Sequence, residues 1–215
     1  DPETVTSLAS ALNVQLPVAR VLWRRGYQDP GSATRFLTPS LDDLHDPYLM
    51  RDMRRAVQRL RIAIERKEEI LLYGDYDVDG ATSVVILKKA IELAGGTSRF
   101  HIPHRLRDGY GMRPDVVEHA ASAGVKLIVS TGIRAAAVVA HANELGIDVI
   151  VTDHHLPDTE LPPALAVLNP NRPDCRYPEK NLCGAGVAFK LVQALFGTLG
   201  WPDRKHRRMI ELFLK

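Results

Sequence analysis

The sequence predicts an α/β protein, an open, mostly parallel sheet flanked by helices, with a short helical adapter in front of it. Three observations carry that expectation. From Glu69 onward, short apolar runs alternate with stretches of helical periodicity. Gly95, Gly124 and Gly146 stand where helices would end, and Pro114 suits a first helical turn. The polar clusters at Asp75–Asp79 and Asp153–His155 directly follow apolar runs, where open α/β sheets place their chemistry.

Residues 1–50 read as the adapter, with a small apolar cluster of Leu16, Val18, Val21, Leu22 and Trp23. Residues 51–215 form the second domain. It opens on a helix in which Met53, Val57, Leu60 and Ile64 recur at helical spacing. The outer face of that helix carries Arg51, Arg54, Arg55, Arg59, Arg61, Arg66 and Lys67, read as solvated charge or as a path for a polyanion. Strands are expected at Ile70–Tyr73, Arg99–Ile102, Lys126–Ser130, Asp148–Thr152 and Ala166–Leu168. Helices are expected between them at Ala81–Leu93, Pro114–Ala123, Gly132–Leu145 and Gly186–Phe196.

Composition narrows the class. The 215 residues carry 28 Lys+Arg against 26 Asp+Glu, a net charge of +2. That balance excludes a polybasic-tail binder and leaves room for a basic groove on a mixed surface. No apolar run approaches the ~20 residues of a membrane span, and the acidic N-terminus is not a signal peptide. Two cysteines, Cys175 and Cys183, make no disulfide framework, which points to a reducing cytoplasm.

The strongest chemical signal is the stretch from Tyr73 to Gly80, between a strand and a helix. If the chain stays extended, Asp75, Asp77 and Asp79 point to one side. Three carboxylates packed so closely repel, and a hard divalent cation is the usual remedy. Gly80 lets the backbone turn into the following helix, whose N-terminus could help hold a phosphate. An EF-hand calcium loop shares this spacing, but Ile86 stands where its bidentate Glu belongs. The second cluster, Asp153-His154-His155, ends another apolar strand. Adjacent histidines on a strand point to opposite sides, so one would join a metal and the other would face substrate. Carboxylate and imidazole donors with open positions suit Mn²⁺ or Mg²⁺ better than a closed zinc site.

GDYDVDG followed by VTDHH resembles motifs I and III of the DHH phosphoesterase superfamily, and within it the single-stranded-DNA-specific exonucleases. Supporting stretches are Ser40–Leu44, Met50–Met53, Ile102–Arg105 with Asp108–Gly111, Leu168–Asn171 and Leu182–Phe189. The resemblance implies a two-metal Mn²⁺ or Mg²⁺ phosphodiesterase that removes nucleotides from the 5′ end of single-stranded DNA in repair and recombination. It further implies Asp75, Asp77, Asp79, Asp153 and His154 as metal residues, with Asp79, His154 and His155 catalytic. Arg105, Arg107, Gly184 and Gly186 become candidate phosphate contacts. Single-strand-binding protein and a recombination helicase become candidate partners. A phosphodiesterase of short oligonucleotides or cyclic dinucleotides, and a non-catalytic replication scaffold, are the alternatives. On this reading, Asp79→Ala abolishes cleavage and leaves the fold intact.

The sequence departs from the family in two places. The family's third strand ends in Val-Asp-x-Gly, whereas here Ser130-Thr131-Gly132 carries no carboxylate and is two residues short. The expectation is therefore a break between Ser130 and Thr131, with Cα atoms separated by well over the ~3.8 Å of bonded neighbours. The chain also stops at Lys215, before the family's fourth motif.

Overall fold

A computed structural model describes residues 2–109, 111–132, 135–158 and 160–214. The chain divides into two compact units, Asp1–Leu44 and His45–Lys215, with the division a few residues before the boundary expected at 50.

The first unit holds helices α1 (Pro2–Leu12), α2 (Leu16–Arg24) and α3 (Pro30–Leu37). Asp29 caps α3 by accepting from the Ser32 N–H at 2.8 Å. Its small core is made by Val5, Leu8, Ala9, Ala19, Leu22 and Ala33. The expected apolar cluster is only partly inside, because Leu16, Val18 and Val21 are exposed. At three residues apart, Ala19 and Leu22 share the face of α2 that packs inward, while Val18 and Val21 fall on the face turned away.

In the second unit, α4 (Met53–Glu65) leads into β1 (Glu69–Tyr73), α5 (Val78–Leu93) and β2 (Ser98–His101). Then follow α6 (Pro114–Ser122), β3 (Val125–Thr131), α7 (Ala136–Glu144), β4 (Asp148–Thr152) and β5 (Ala166–Leu168). Helices α8 (Gly184–Gly197) and α9 (Asp203–Leu212) complete it. The strands run in the order β2-β1-β3-β4-β5, and every pairing is parallel. Both faces are buried along β1, β3, β4 and β5, as parallel sheets require, while the edge strand β2 is largely exposed. Leu71, Tyr73, Ile128, Val149 and Val151 pack against Val117 and Ala120 of α6 and Val139 and Ala142 of α7. Helices α4, α5 and α8 pack together on the opposite face.

Two expectations need correction. Arg59 does not lie on the solvated face of α4: its guanidinium pairs with Glu68 at 2.7 Å and Asp148 at 2.6 Å. In β3, Ser130 and Thr131 pair in register with Val151 and Thr152. The helix expected from Gly132 begins instead at Ala136, after Gly132 takes a positive φ of 73°. Residues 133 and 134 of that expected helix lie outside the described residues. Among the described residues, no single helix is long and apolar enough to cross a membrane.

Candidate metal and phosphodiester site

Strand β2 lies on one side of β1 and β3 on the other, so the strand order reverses beside β1. Ligands in open α/β sheets bind at that reversal, beyond the carboxyl ends of the strands. There Asp75, Asp77, Asp79, Gly132, His154, His155 and Gly184 line one small recess. The segments after β1, β3 and β4 and the start of α8 all reach it.

The three carboxylates are positioned by different devices. Asp75 is 6% exposed and accepts from the Tyr76 N–H at 2.7 Å. Burial raises its pKa above the ordinary carboxylate range, and the neighbouring Asp77 charge adds to the rise. Asp77 is extended and caps α5, accepting from the Gly80 N–H at 2.7 Å. Asp79 already lies in the first turn of α5, so the three do not sit on one extended segment. Its Oδ2 accepts from the Gly184 N–H at 2.6 Å and its Oδ1 from the Ala185 N–H at 2.7 Å. One carboxylate thereby joins the start of α5 to the start of α8. Among the described residues, no lysine or arginine pairs with any of the three.

Two glycines keep this arrangement close. A Cβ on Gly80 would meet the Asp75 backbone N and O at 2.7 Å, and one on Gly184 would meet Asp79 Oδ2 at 2.7 Å. Gly80 thus serves close approach rather than an unusual turn. The N–H groups of Gly184 and Ala185 are taken by Asp79, so the start of α8 is not the open phosphate cradle expected at Gly184 and Gly186. Gly186 packs against Leu182 instead.

Both histidines face the recess, with ring centroids 4.4 Å apart. They lie past the end of β4, where strand alternation no longer separates neighbours. His154 Nε2 is 3.3 Å from Asp79 Oδ2. His155 Nδ1 is 2.7 Å from Asp153 Oδ1, and since a carboxylate only accepts, Nδ1 is the donor. Asp153 is fully buried, also takes the Asn169 amide at 3.3 Å, and does not line the recess. It orients His155 rather than presenting its own oxygens.

Asn169 and Asn171 stand out in the sequence only as part of a family-like stretch, yet they brace both histidines. Asn169 donates to the His155 carbonyl at 2.9 Å and Asn171 to the His154 carbonyl at 2.6 Å. The signal that could have marked them is a pair of amides directly after the apolar run that forms β5. Arg105 sits 5.3 Å over the Tyr76 ring, beside the acid loop. Arg107 is a largely exposed side chain 3.9 Å from Asp108.

Residues 69–213 match the model of the DHH family, N-terminal domain. The chain belongs to the DHH family. Among DHH relatives, it is 41% identical over 205 residues to the single-stranded-DNA-specific exonuclease RecJ of Bacillus subtilis, covering 94% of this chain and 26% of that protein. With RecJ of Escherichia coli it shares 45% identity over 158 residues, 71% of this chain and 27% of that one. A crystal structure of RecJ from Thermus thermophilus in complex with Mn²⁺ superposes with a TM-score of 0.75 at 28% identity, covering 99% of this chain and 30% of that one. The chain thus spans about a quarter of the length of these curated relatives.

The donors suit a hard divalent cation: three carboxylates and two imidazoles face one recess, with no arginine or lysine among the described residues that line it. Among the described residues, however, no three such side chains already converge as a coordination sphere. Asp77 and Asp79 are engaged by backbone N–H groups, and β3 ends in Gly132, which contributes no carboxylate. Coordination would require these carboxylates to share their lone pairs between N–H groups and the ion, which four acceptor sites per carboxylate allow.

Proposed function

We propose that this chain is the DHH part of a Mn²⁺- or Mg²⁺-dependent phosphodiesterase that degrades single-stranded DNA from its 5′ end, in cytoplasmic DNA repair and recombination. The observation that carries the reading is the single recess lined by Asp75, Asp77, Asp79, His154 and His155. The similarity to RecJ proteins supports the substrate class, and single-strand-binding protein and a recombination helicase remain the proposed partners.

Asp75, Asp77, Asp79 and His154 would hold the metal, with Asp153 acting through His155 rather than as a ligand. When bound, the ion would supply a hydroxide nucleophile at neutral pH and neutralise charge on the attacked phosphate. The chain's own contributions follow from its geometry. Asp79 fixes α8 against the acid loop, and Asp153 and Asn169 hold His155 at the recess. Arg105, stacked over Tyr76, is placed to meet a phosphate near Asp75.

The test pairs Mn²⁺ titration by calorimetry with digestion of single strands labelled at the 5′ or the 3′ end. Mn²⁺ binding that is lost in Asp75→Asn, with label released first from the 5′ end, is expected. A second reading, a non-catalytic scaffold, is favoured by the carboxylate-free end of β3. Single-strand binding with no turnover under Mn²⁺ or Mg²⁺ would establish it and overturn the nuclease reading.

A further inference from the structure

A second concavity lies beside the edge strand β5, where Asp52 accepts from the Val167 N–H, and it is basic. Arg51, Arg54 and Arg55 at the start of α4 line it from one side, and Arg176 from the loop after β5 lines it from the other. It holds about 820 Å³, the size of a small-molecule site rather than of a single ion. Its carboxylates are already neutralised. Arg172, itself 6% exposed, donates to Asp52 at 2.7 Å and forms a two-pronged pair with Asp174 at 2.9 and 2.8 Å. That pairing lowers the Asp174 pKa below its ordinary range. Arg54 rests 4.7 Å above the Tyr48 ring. Among the described residues, none of Arg54, Arg55 and Arg176 has a carboxylate within ion-pair distance. Five guanidiniums thus face two carboxylates, and three of the guanidiniums have no anion.

One loop joins this groove to the catalytic recess. Asn169 and Asn171 hold the two histidines, and Arg172 and Asp174, next in the same loop, hold the groove. Three residues from Asn171 to Asp174 span at most about 10 Å. A flexible polyanion threaded past His154 would meet the groove within a few of its repeating units.

We propose that the groove is a phosphodiester subsite, in which Arg54, Arg55 and Arg176 hold the backbone of a single strand a few nucleotides from the bond in the recess. Arg172 positions the groove by neutralising Asp52 and Asp174, which line it. The inference rests on the nuclease reading and assigns that site its extended contact with the strand.

The experiment measures binding of a dye-labelled sixteen-nucleotide oligo-dT by anisotropy across a salt series, in EDTA to halt cleavage. Removing one arginine–phosphate pairing should make the slope of log K against log[salt] shallower by about 0.7. Arg54→Glu/Arg55→Glu should weaken binding at least tenfold and flatten the slope by about 1.4, as two such pairings require. Acidic residues in a first helical turn are favoured by the helix dipole, so this variant keeps α4, and circular dichroism checks it. Arg176→Gln, in the loop, should give the same effect at about half the slope change. Lys126→Glu, at the amino-terminal end of β3 and outside the groove lining, makes the same charge change per residue and should leave binding within twofold. Groove variants that bind like the unmodified protein, or a Lys126→Glu loss as large as theirs, overturn the subsite. An unmodified protein that binds no single strand at any salt overturns the nuclease reading itself.

Discussion

Replacing Asp79 by alanine separates two roles that one carboxylate performs. It faces the recess, and it ties α5 to α8 by accepting from the Gly184 and Ala185 N–H groups at 2.6 and 2.7 Å. The expectation that this substitution spares the fold therefore needs revision. Two charge-assisted bonds at a helix N-terminus are removed, and loss of such a cap costs about 0.5–2 kcal/mol, toward the upper end when the acceptor is charged. Relief of repulsion from Asp75 and Asp77 offsets part of this, which leaves a net destabilisation of about 2 kcal/mol. For a chain of this size, that lowers the melting temperature by about 4–8 °C. Asp77→Ala loses one bond, to the Gly80 N–H, and should cost about 1 kcal/mol. Asp79→Asn keeps an oxygen for one of the two N–H groups and should fall between. Thermal unfolding is followed by circular dichroism in EDTA, so that no bound cation adds its own stabilisation. An Asp79→Ala variant that melts with the unmodified protein would refute the tie between α5 and α8.

Three further outcomes follow from other contacts. Lys190 is 3% exposed, and burial lowers its pKa to about 8 from 10.5, so the unfolded chain binds more protons above that pH. Stability should rise from about pH 8 toward pH 10, relieving a cost of about 3 kcal/mol that is fully present below pH 8; urea melts of Lys190→Met should lack this rise, and the comparison cancels the opposite effect of Tyr177, raised to about 12. Gly80→Ala should abolish Mn²⁺ binding measured by calorimetry while α5 persists, because its Cβ would displace the Asp75 backbone; normal affinity would contradict the close approach. Arg172→Ala should destabilise the protein by about 3 kcal/mol in urea melts, since it strips the counter-charge from Asp52 and Asp174 and frees the Val167 carbonyl.

The sheet is legible in the sequence because β1, β3, β4 and β5 are short apolar runs buried on both faces, a pattern that survives without neighbours, while β2 is a more polar edge strand. Five runs become five parallel strands, two with the expected bounds and three shifted by one residue at one or both ends. What is not legible depends on contacts between distant segments. The spacing of Asp75, Asp77 and Asp79 suggests one extended ligand strip, but the Asp77 cap starts α5 three residues earlier than periodicity implies. The glycines at 184 and 186 resemble a phosphate cradle, and only the fold shows Asp79 already occupying it, 105 residues away in sequence. Arg59 is solvent-facing by helical phase, and its partner Asp148 comes from the start of β4.

The charge balance at the recess links its geometry to its chemistry. Asp75, Asp77 and Asp79 bring three negative charges when ionised, and β3 adds none because it ends in Gly132. One divalent cation leaves this set with a net negative charge. Two cations leave it net positive, and an arriving phosphodiester restores balance. On the proposed reading, a recess with three acids would couple occupancy by a second cation to an arriving polyanion more tightly than one with four acids. On the same reading, a strand held at Arg54, Arg55 and Arg176 would raise the local concentration of phosphate at the recess. Recess and groove are separate surfaces, and the Asn169–Asp174 loop ties them into one electrostatic unit.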